Sequence, residues 1–181
     1  MSLVHLTNKE LEKIYHVKQT NKIGFKPRGL WYSPDEIWYK YYASFSEDIE
    51  YKYKYNISLH YTSFRSKNKD KILKINDDKT FDLFTLKYGY FTKSKATSSI
   101  FILIKWNDVS RDYGGIEIIP LITSRIRSYD VKIIKKYNNK FNFCTNNDYR
   151  IELIFWLYTF DVPSGCVWNP KVIKEIKYIF E

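Results

Sequence analysis

From residue 49, IEYKYKYNISLHYTSF alternates aromatic and polar positions, the period-two rhythm of a half-buried strand, and DKILKIN continues in the same mode. SSIFILIKW and IELIFWLYTF are short apolar runs and predict buried strands; each is shorter than the roughly 20 residues a membrane helix requires. SLVHLTN, GLWYS between Pro27 and Pro34, and CVW after the turn PSG predict shorter strands. GGIEIIPLI predicts one more, opened by a Gly pair and closed by Pro120.

Helical spacing appears elsewhere. NKELEKIYHV carries Leu11, Ile14 and Tyr15 on one face behind a cap at Thr7 or Asn8. SPDEIWYKYYASF has Ser33 to cap, Pro34 at the first helical position, and Asp35 and Glu36 in the first turn, where acidic groups meet the positive helix end. Its Ile37, Tyr41 and Tyr42 fall on one face, as in a packed amphipathic helix. DDKTFDLFTLKYGYF carries Phe81, Leu83, Phe84 and Tyr88 at near-helical spacing, and NDVSRDY reads as a short helix or loop. PKVIKEIKYI predicts a terminal helix starting at Pro170, whereas segment 123–150, rich in Lys, Asn and Tyr, predicts no element. Strands and short helices mix without βαβ alternation, repeat or linker, so we expect one α+β domain over residues 1–181.

Composition changes this picture in two respects. With 17 Tyr, 12 Phe and 5 Trp against 6 Gly, aromatic rings must build much of the core, and an AT-rich genome would by itself favour such a chain. The net charge of +10 invites an anionic partner, a nucleic acid or a dinucleotide. The cations are nevertheless spread along the chain, with small clusters at Lys67, Lys69, Lys71 and Lys74 and at Lys132, Lys135 and Lys136. Cys144 and Cys166 lack metal-ligand spacing, and no apolar leader opens the sequence, so free thiols and a cytoplasmic location are expected. No hydrolase elbow, P-loop, GxGxxG or metal constellation appears.

Taken in order, LVHLTNKELEKIY, GFKPRGLWYSPDEIWYKYY, ILKINDDKTFDLFTLKYG, IKWNDVSRDYGGIEIIP and CVWNPKVIKEI resemble the ADP-ribosyltransferase superfamily. They are most similar to its His-Tyr-Glu branch, that of diphtheria toxin and the poly-ADP-ribose polymerases. HLT supplies His5 and Thr7 for the first motif, and GLWYS supplies Gly29, Tyr32 and Ser33 for the second. The pattern also resembles uncharacterised proteins of phages and large DNA viruses. The resemblance implies two small crossed, mainly antiparallel sheets with short peripheral helices and an NAD cleft between them.

It further implies that Gly29 lets the backbone approach the cofactor, that Tyr32 stacks on nicotinamide, and that His5, with Thr7 nearby, binds the adenosine ribose. The backbone of Leu6, where the family usually has Gly, would meet the carboxamide, and Arg28 is a candidate pyrophosphate contact. Trp31 and Trp38 are expected in the core or the pocket wall. Loss of nicotinamide leaves an oxocarbenium-like ribosyl cation, which needs a carboxylate. Glu117, charged in the middle of an apolar strand, is the first candidate. The family register would put the acid near Ser164 or Gly165, where none stands, so Glu152 or Asp161 could substitute, or the site could bind without turnover. The expected function is thus NAD-dependent mono-ADP-ribosyl transfer to a protein or nucleic-acid acceptor. The alternatives are a catalytically weak NAD or nucleotide-binding module and a basic nucleic-acid-binding domain whose aromatics stack bases.

Overall fold

The computed structural model describes residues 2–21, 25–45, 50–93, 100–127, 151–152 and 156–179. Among the described residues eleven strands run in chain order: β1 (Leu3–Thr7), β2 (Leu30–Pro34), β3 (Tyr53–Leu59), β4 (Tyr61–Thr62), β5 (Asn68–Ile75), β6 (Gly89–Lys93), β7 (Ile100–Ile104), β8 (Tyr113–Ile118), β9 (Ile151–Glu152), β10 (Ser164–Val167) and β11 (Ile173–Tyr178). Helices are short: α1 (Ile37–Ala43), α2 (Asp78–Tyr88), α3 (Trp106–Asp112) and α4 (Thr123–Arg127), with 3₁₀ turns at Leu157–Thr159 and Pro170–Val172.

The architecture is mixed α and β. Eight strands form one curled sheet in the order β11-β3-β1-β2-β10-β8-β5-β4, and β6, β7 and β9 form a small second one. The expected pair of sheets is therefore one hydrogen-bonded order passing through β2, with the small sheet beside it. Pairing is antiparallel from β11 to β8 and parallel where β5 meets β8 and β4. Because successive side chains alternate across a strand, each face of the sheet builds its own core. One holds Leu73, Ile116, Ile118, Cys166 and Trp168 against Phe81, Phe84, Trp106 and Trp156. The other holds Leu30, Tyr32, Ile57, Leu59, Ile72, Val167 and Val172.

Local signals fare unequally. The helix expected from the spacing of Phe81, Leu83, Phe84 and Tyr88 forms as α2, and Asp77 caps it by accepting from the Thr80 N–H at 2.7 Å. In the second predicted helix, by contrast, β2 continues through Pro34 and α1 begins only at Ile37. Two further predicted helices do not form. Residues 8–20 are an irregular strap rather than a helix: Leu11 and Ile14 pack on the second core. Its backbone is spent on partners far away, the Leu11 N–H on the Tyr55 hydroxyl at 2.9 Å and the Val17 N–H on the Trp168 carbonyl at 2.8 Å. The terminal segment makes one 3₁₀ turn at Pro170 and then strand β11, because the open edge of β3 offers it a full ladder, register Ile173↔Leu59 to Tyr178↔Tyr55. The last predicted strand starts two residues early, at Ser164. IELIFWLYTF is strand at Ile151–Glu152 and 3₁₀ at Leu157–Thr159, with 153–155 outside the described residues. Cys144 and most of segment 123–150 also lie outside them.

Candidate functional site

The ladder between β1 and β2 is confined to Leu3↔Pro34 and Val4↔Ser33. Beyond it the Trp31 carbonyl is met by a side chain, His5 Nδ1 at 2.7 Å. A carbonyl can only accept, so the proton sits on Nδ1 and Nε2 of the neutral ring is left as an acceptor. Burial pulls the His5 pKa below its ordinary value, outweighing the bond to Trp31, and so favours that neutral ring.

Here the chain forms a cavity of about 270 Å³ lined by Val4, His5, Leu6, Trp31, Tyr32, Trp38, Tyr42 and Tyr51. Strand β2 supplies Trp31 and helix α1 supplies Trp38 and Tyr42 one turn apart. Trp38 stacks on Tyr42 with ring centroids 4.9 Å apart and meets Trp31 edge-on at 6.4 Å. Lys26 Nζ lies over both indoles, 5.6 Å from the centre of Trp31 and 5.7 Å from that of Trp38, and pairs with Asp161 at 2.9 Å. Burial raises the pKa of Tyr42, and the charge of Asp161 adds to the rise. A neighbouring groove of about 460 Å³ shares Leu6 and Tyr51 as walls and adds Lys52, Lys54 and Tyr178. Cavity and groove together have the size of a small-molecule cleft, about 300–1,000 Å³.

Tyr32 and Glu117 form a different arrangement. Trp31 packs with the first core and Tyr32 belongs to the second, so adjacent residues of β2 point to opposite faces. Tyr32 contributes to the cavity wall, but its ring lies over Gly165, where a Cβ would collide with it, and its hydroxyl donates to Glu117 Oε2 at 3.0 Å. The Tyr61 hydroxyl donates to the same oxygen at 2.8 Å, and Lys74 Nζ is 3.5 Å from Oε1. Register explains the cluster: Tyr32 pairs with Gly165, Gly165 with Glu117, and Glu117 with Lys74, a row across four strands. Burial, with the Glu117 charge beside it, raises the pKa of both tyrosines, so both stay protonated as donors. Glu117 is 1% exposed and is a partnered buried carboxylate.

The other expected site residues are dispersed. Gly29, at φ 152°, is required by the Val167 carbonyl of β10, against which any Cβ would press, so its close approach serves strand packing. Ser33 is buried and accepts from the Trp38 N–H at 3.3 Å, fixing the start of α1. The Thr7 hydroxyl accepts from the Lys9 N–H at 3.2 Å in the turn after β1. Arg28 is exposed, with its backbone clamped by Gln19 at 2.6 and 2.9 Å. Ser164 is buried, with its hydroxyl on the Val162 carbonyl at 2.9 Å, and Glu152 belongs to the small sheet.

The structure thus brings His5, Trp31, Tyr32 and Trp38 together around one cavity, with strand alternation sending Trp31 and Tyr32 to opposite faces of the sheet, and lays Lys26, to which the sequence reading gave no part, over the two indoles. Among the described residues no group of three or more His, Cys, Asp or Glu could hold a metal ion, and no helix is long and apolar enough to cross a membrane. No protein-family model, curated protein or solved structure matches this chain.

Proposed function

We propose that the opening between β1 and β2 binds NAD and that the protein is an ADP-ribosyltransferase, acting on a protein or nucleic-acid acceptor. The observation that carries this reading is the convergence of Trp31, Trp38 and Tyr42 on a cavity where β1 and β2 part beside His5. Aromatic walls suit a planar base, and a neutral His5 with Nε2 free to accept suits a ribose hydroxyl. The groove, walled by Lys52 and Lys54 together with Glu50 and with Glu36, which pairs with Lys54, gives a dinucleotide room beside the cavity.

The reaction detaches nicotinamide with the electron pair of its glycosidic bond and joins the ribose carbon to an acceptor that gives up a proton. The chain must supply a carboxylate where positive charge grows on the ribose. Glu117 is fully partnered behind the Tyr32 ring, whereas Asp161 pairs with the Lys26 ammonium that lies over the two indoles, so we assign the role to Asp161. Nicotinamide release from NAD tests this. Removing such a charge costs about 100-fold or more, so Asp161→Asn is expected to fall by that factor while Glu117→Gln, if folded, keeps most of the rate. A protein that releases no nicotinamide, or one that loses its activity with Glu117 but not Asp161, would overturn the assignment.

A further inference from the structure

The two edges of the large sheet distribute their charges differently. At the β4–β5 edge Arg65, Lys67, Lys69, Lys71 and Lys74 are all exposed, while the acids beside them are turned inward. Half-buried Asp112 takes both Lys67 and Lys87 at 2.9 Å, and buried Glu117 lies 3.5 Å from Lys74. Strand β5 loses register between Asn68, opposite Tyr113, and Ile72, opposite Gly115, so residues 69–71 bulge from the ladder. Buried Asn169 fastens the bulge, donating from Nδ2 to the Lys69 carbonyl at 2.7 Å and to Asp70 Oδ1 at 3.0 Å. The acid of the bulge is thereby tied to the fold, and Arg65, Lys69 and Lys71 form no ion pair with a described residue. At the opposite edge, β11, Lys177 pairs at 2.9 Å with Glu175, which is exposed beside it, so cation and acid meet solvent together. The β4–β5 edge also carries an open groove of about 460 Å³, walled by the rings of Tyr61 and Phe64 and by Lys74, Asn76 and Thr80. Asp77, the acid on its wall, already accepts from the Thr80 N–H and hydroxyl at 2.7 and 2.9 Å. Each aromatic wall has an ammonium beside it: Lys74 Nζ is 5.1 Å from the Tyr61 ring centre and Lys87 Nζ 5.5 Å from that of Phe64.

We propose that this edge binds single-stranded nucleic acid, with phosphates against Arg65, Lys69 and Lys71 and a base in the groove against Tyr61. The inference does not rest on the NAD reading: strands β10 and β8 separate β5 from the opening at β1 and β2. Exposed cations over inward-turned acids attract a polyanion of any kind. The rings beside them favour one whose units carry flat π faces, and a base can enter a groove only when it is not stacked inside a duplex. Asn76 adds an amide, donor and acceptor together, on the same wall. The Tyr61 hydroxyl donates to Glu117 at 2.8 Å, which fixes the ring at the edge before any base arrives. An acidic peptide would answer the charges and leave the rings unused.

Fluorescence anisotropy of the full chain with labelled oligothymidylate and oligouridylate of about 15 nucleotides, repeated over a range of salt, tests it. The native protein is expected to bind, with log affinity falling linearly against log salt. The double variant Lys69→Gln and Lys71→Gln is expected to reduce that slope by about 1.4, or about 0.7 for each phosphate contact removed. Lys174→Gln with Lys177→Gln removes the same charge from the β11 edge and is expected to keep the native slope. Tyr61→Leu is expected to weaken binding about tenfold at unchanged slope, while Tyr61→Phe, which keeps the ring and gives up the bond to Glu117, binds as the native protein does. Binding of either oligonucleotide in this pattern supports the site, and the tighter of the two identifies the sugar it prefers. Equal loss of slope at both edges, polyglutamate of matched charge competing as well as the oligonucleotide, or no binding at low salt overturns the proposal. A duplex that competes as well as the single strand, or Tyr61→Leu indistinguishable from native, overturns the groove as a base site. None of these outcomes bears on NAD binding, which is read separately by calorimetry.

Discussion

Trp31 and Tyr32 are neighbours on one short strand, yet they serve regions with opposite physics. Trp31 joins an aromatic opening walled by His5, with the Lys26 ammonium, paired to Asp161, over its indole. Tyr32 joins a closed polar knot in which one carboxylate is held by two phenols and a lysine and everything but Tyr61 and Lys74 is buried. Both regions contain an acid, a cation and several rings, so composition does not separate them. What separates them is satisfaction: the buried Glu117 carboxyl already has its partners, Tyr32, Tyr61 and Lys74, and ties together the strands that carry them.

The largest effect that would break this contrast lies in the knot. Glu117→Ala leaves the buried Tyr32 hydroxyl without its acceptor and is expected to lower stability by about 3 kcal/mol in urea unfolding, with NAD affinity in the folded protein within about twofold of native. A large loss of affinity at unchanged stability would make Glu117 part of the ligand site. Gly165→Ala is expected to follow at about 2 kcal/mol, because its new methyl would press on the fully buried Tyr32 ring. A thermal midpoint equal to native would show that the ring has room to move. Tyr32→Phe removes one hydrogen bond, since Tyr61 still donates to Glu117, and is expected to cost about 1 kcal/mol.

The smallest effect is acid sensitivity at the opening. His5 is held neutral by burial, so its pKa is lower folded than unfolded, and its contribution is complete above the ordinary value of 6.5. As pH falls below 6.5 the unfolded chain takes up a proton more readily than the folded one, and stability declines towards the folded pKa. The slope of stability against pH in that window is expected to flatten in His5→Gln; an unchanged slope would mean that other groups carry it.

How much of this was legible before the structure follows from the range of each interaction. The helical spacing of α2 and the strand rhythm of Tyr53–Leu59 are set by residues a few positions apart and could be read directly. The strap at 8–20 and the C-terminal strand could not, because their spacing is helical while their partners, Tyr55, Trp168 and the edge of β3, are distant in sequence. The site divides in the same way. His5 and the aromatic run 37–42 are local signals, whereas the pairing of Lys26 with Asp161 joins residues 135 positions apart. The isolation of Glu117 behind Tyr32 depends on a register across four strands that no sequence period encodes.

The central claim, that the ligand faces Trp31 and not Tyr32, is tested most directly by calorimetric titration of NAD into the native protein, Trp31→Leu and Tyr32→Phe, each first shown to be folded by near-ultraviolet circular dichroism. NAD is expected to bind the native protein and Tyr32→Phe alike and to lose about tenfold or more in affinity for Trp31→Leu, the loss of one stacked aromatic wall. Binding that survives in Trp31→Leu but disappears in Tyr32→Phe would contradict it.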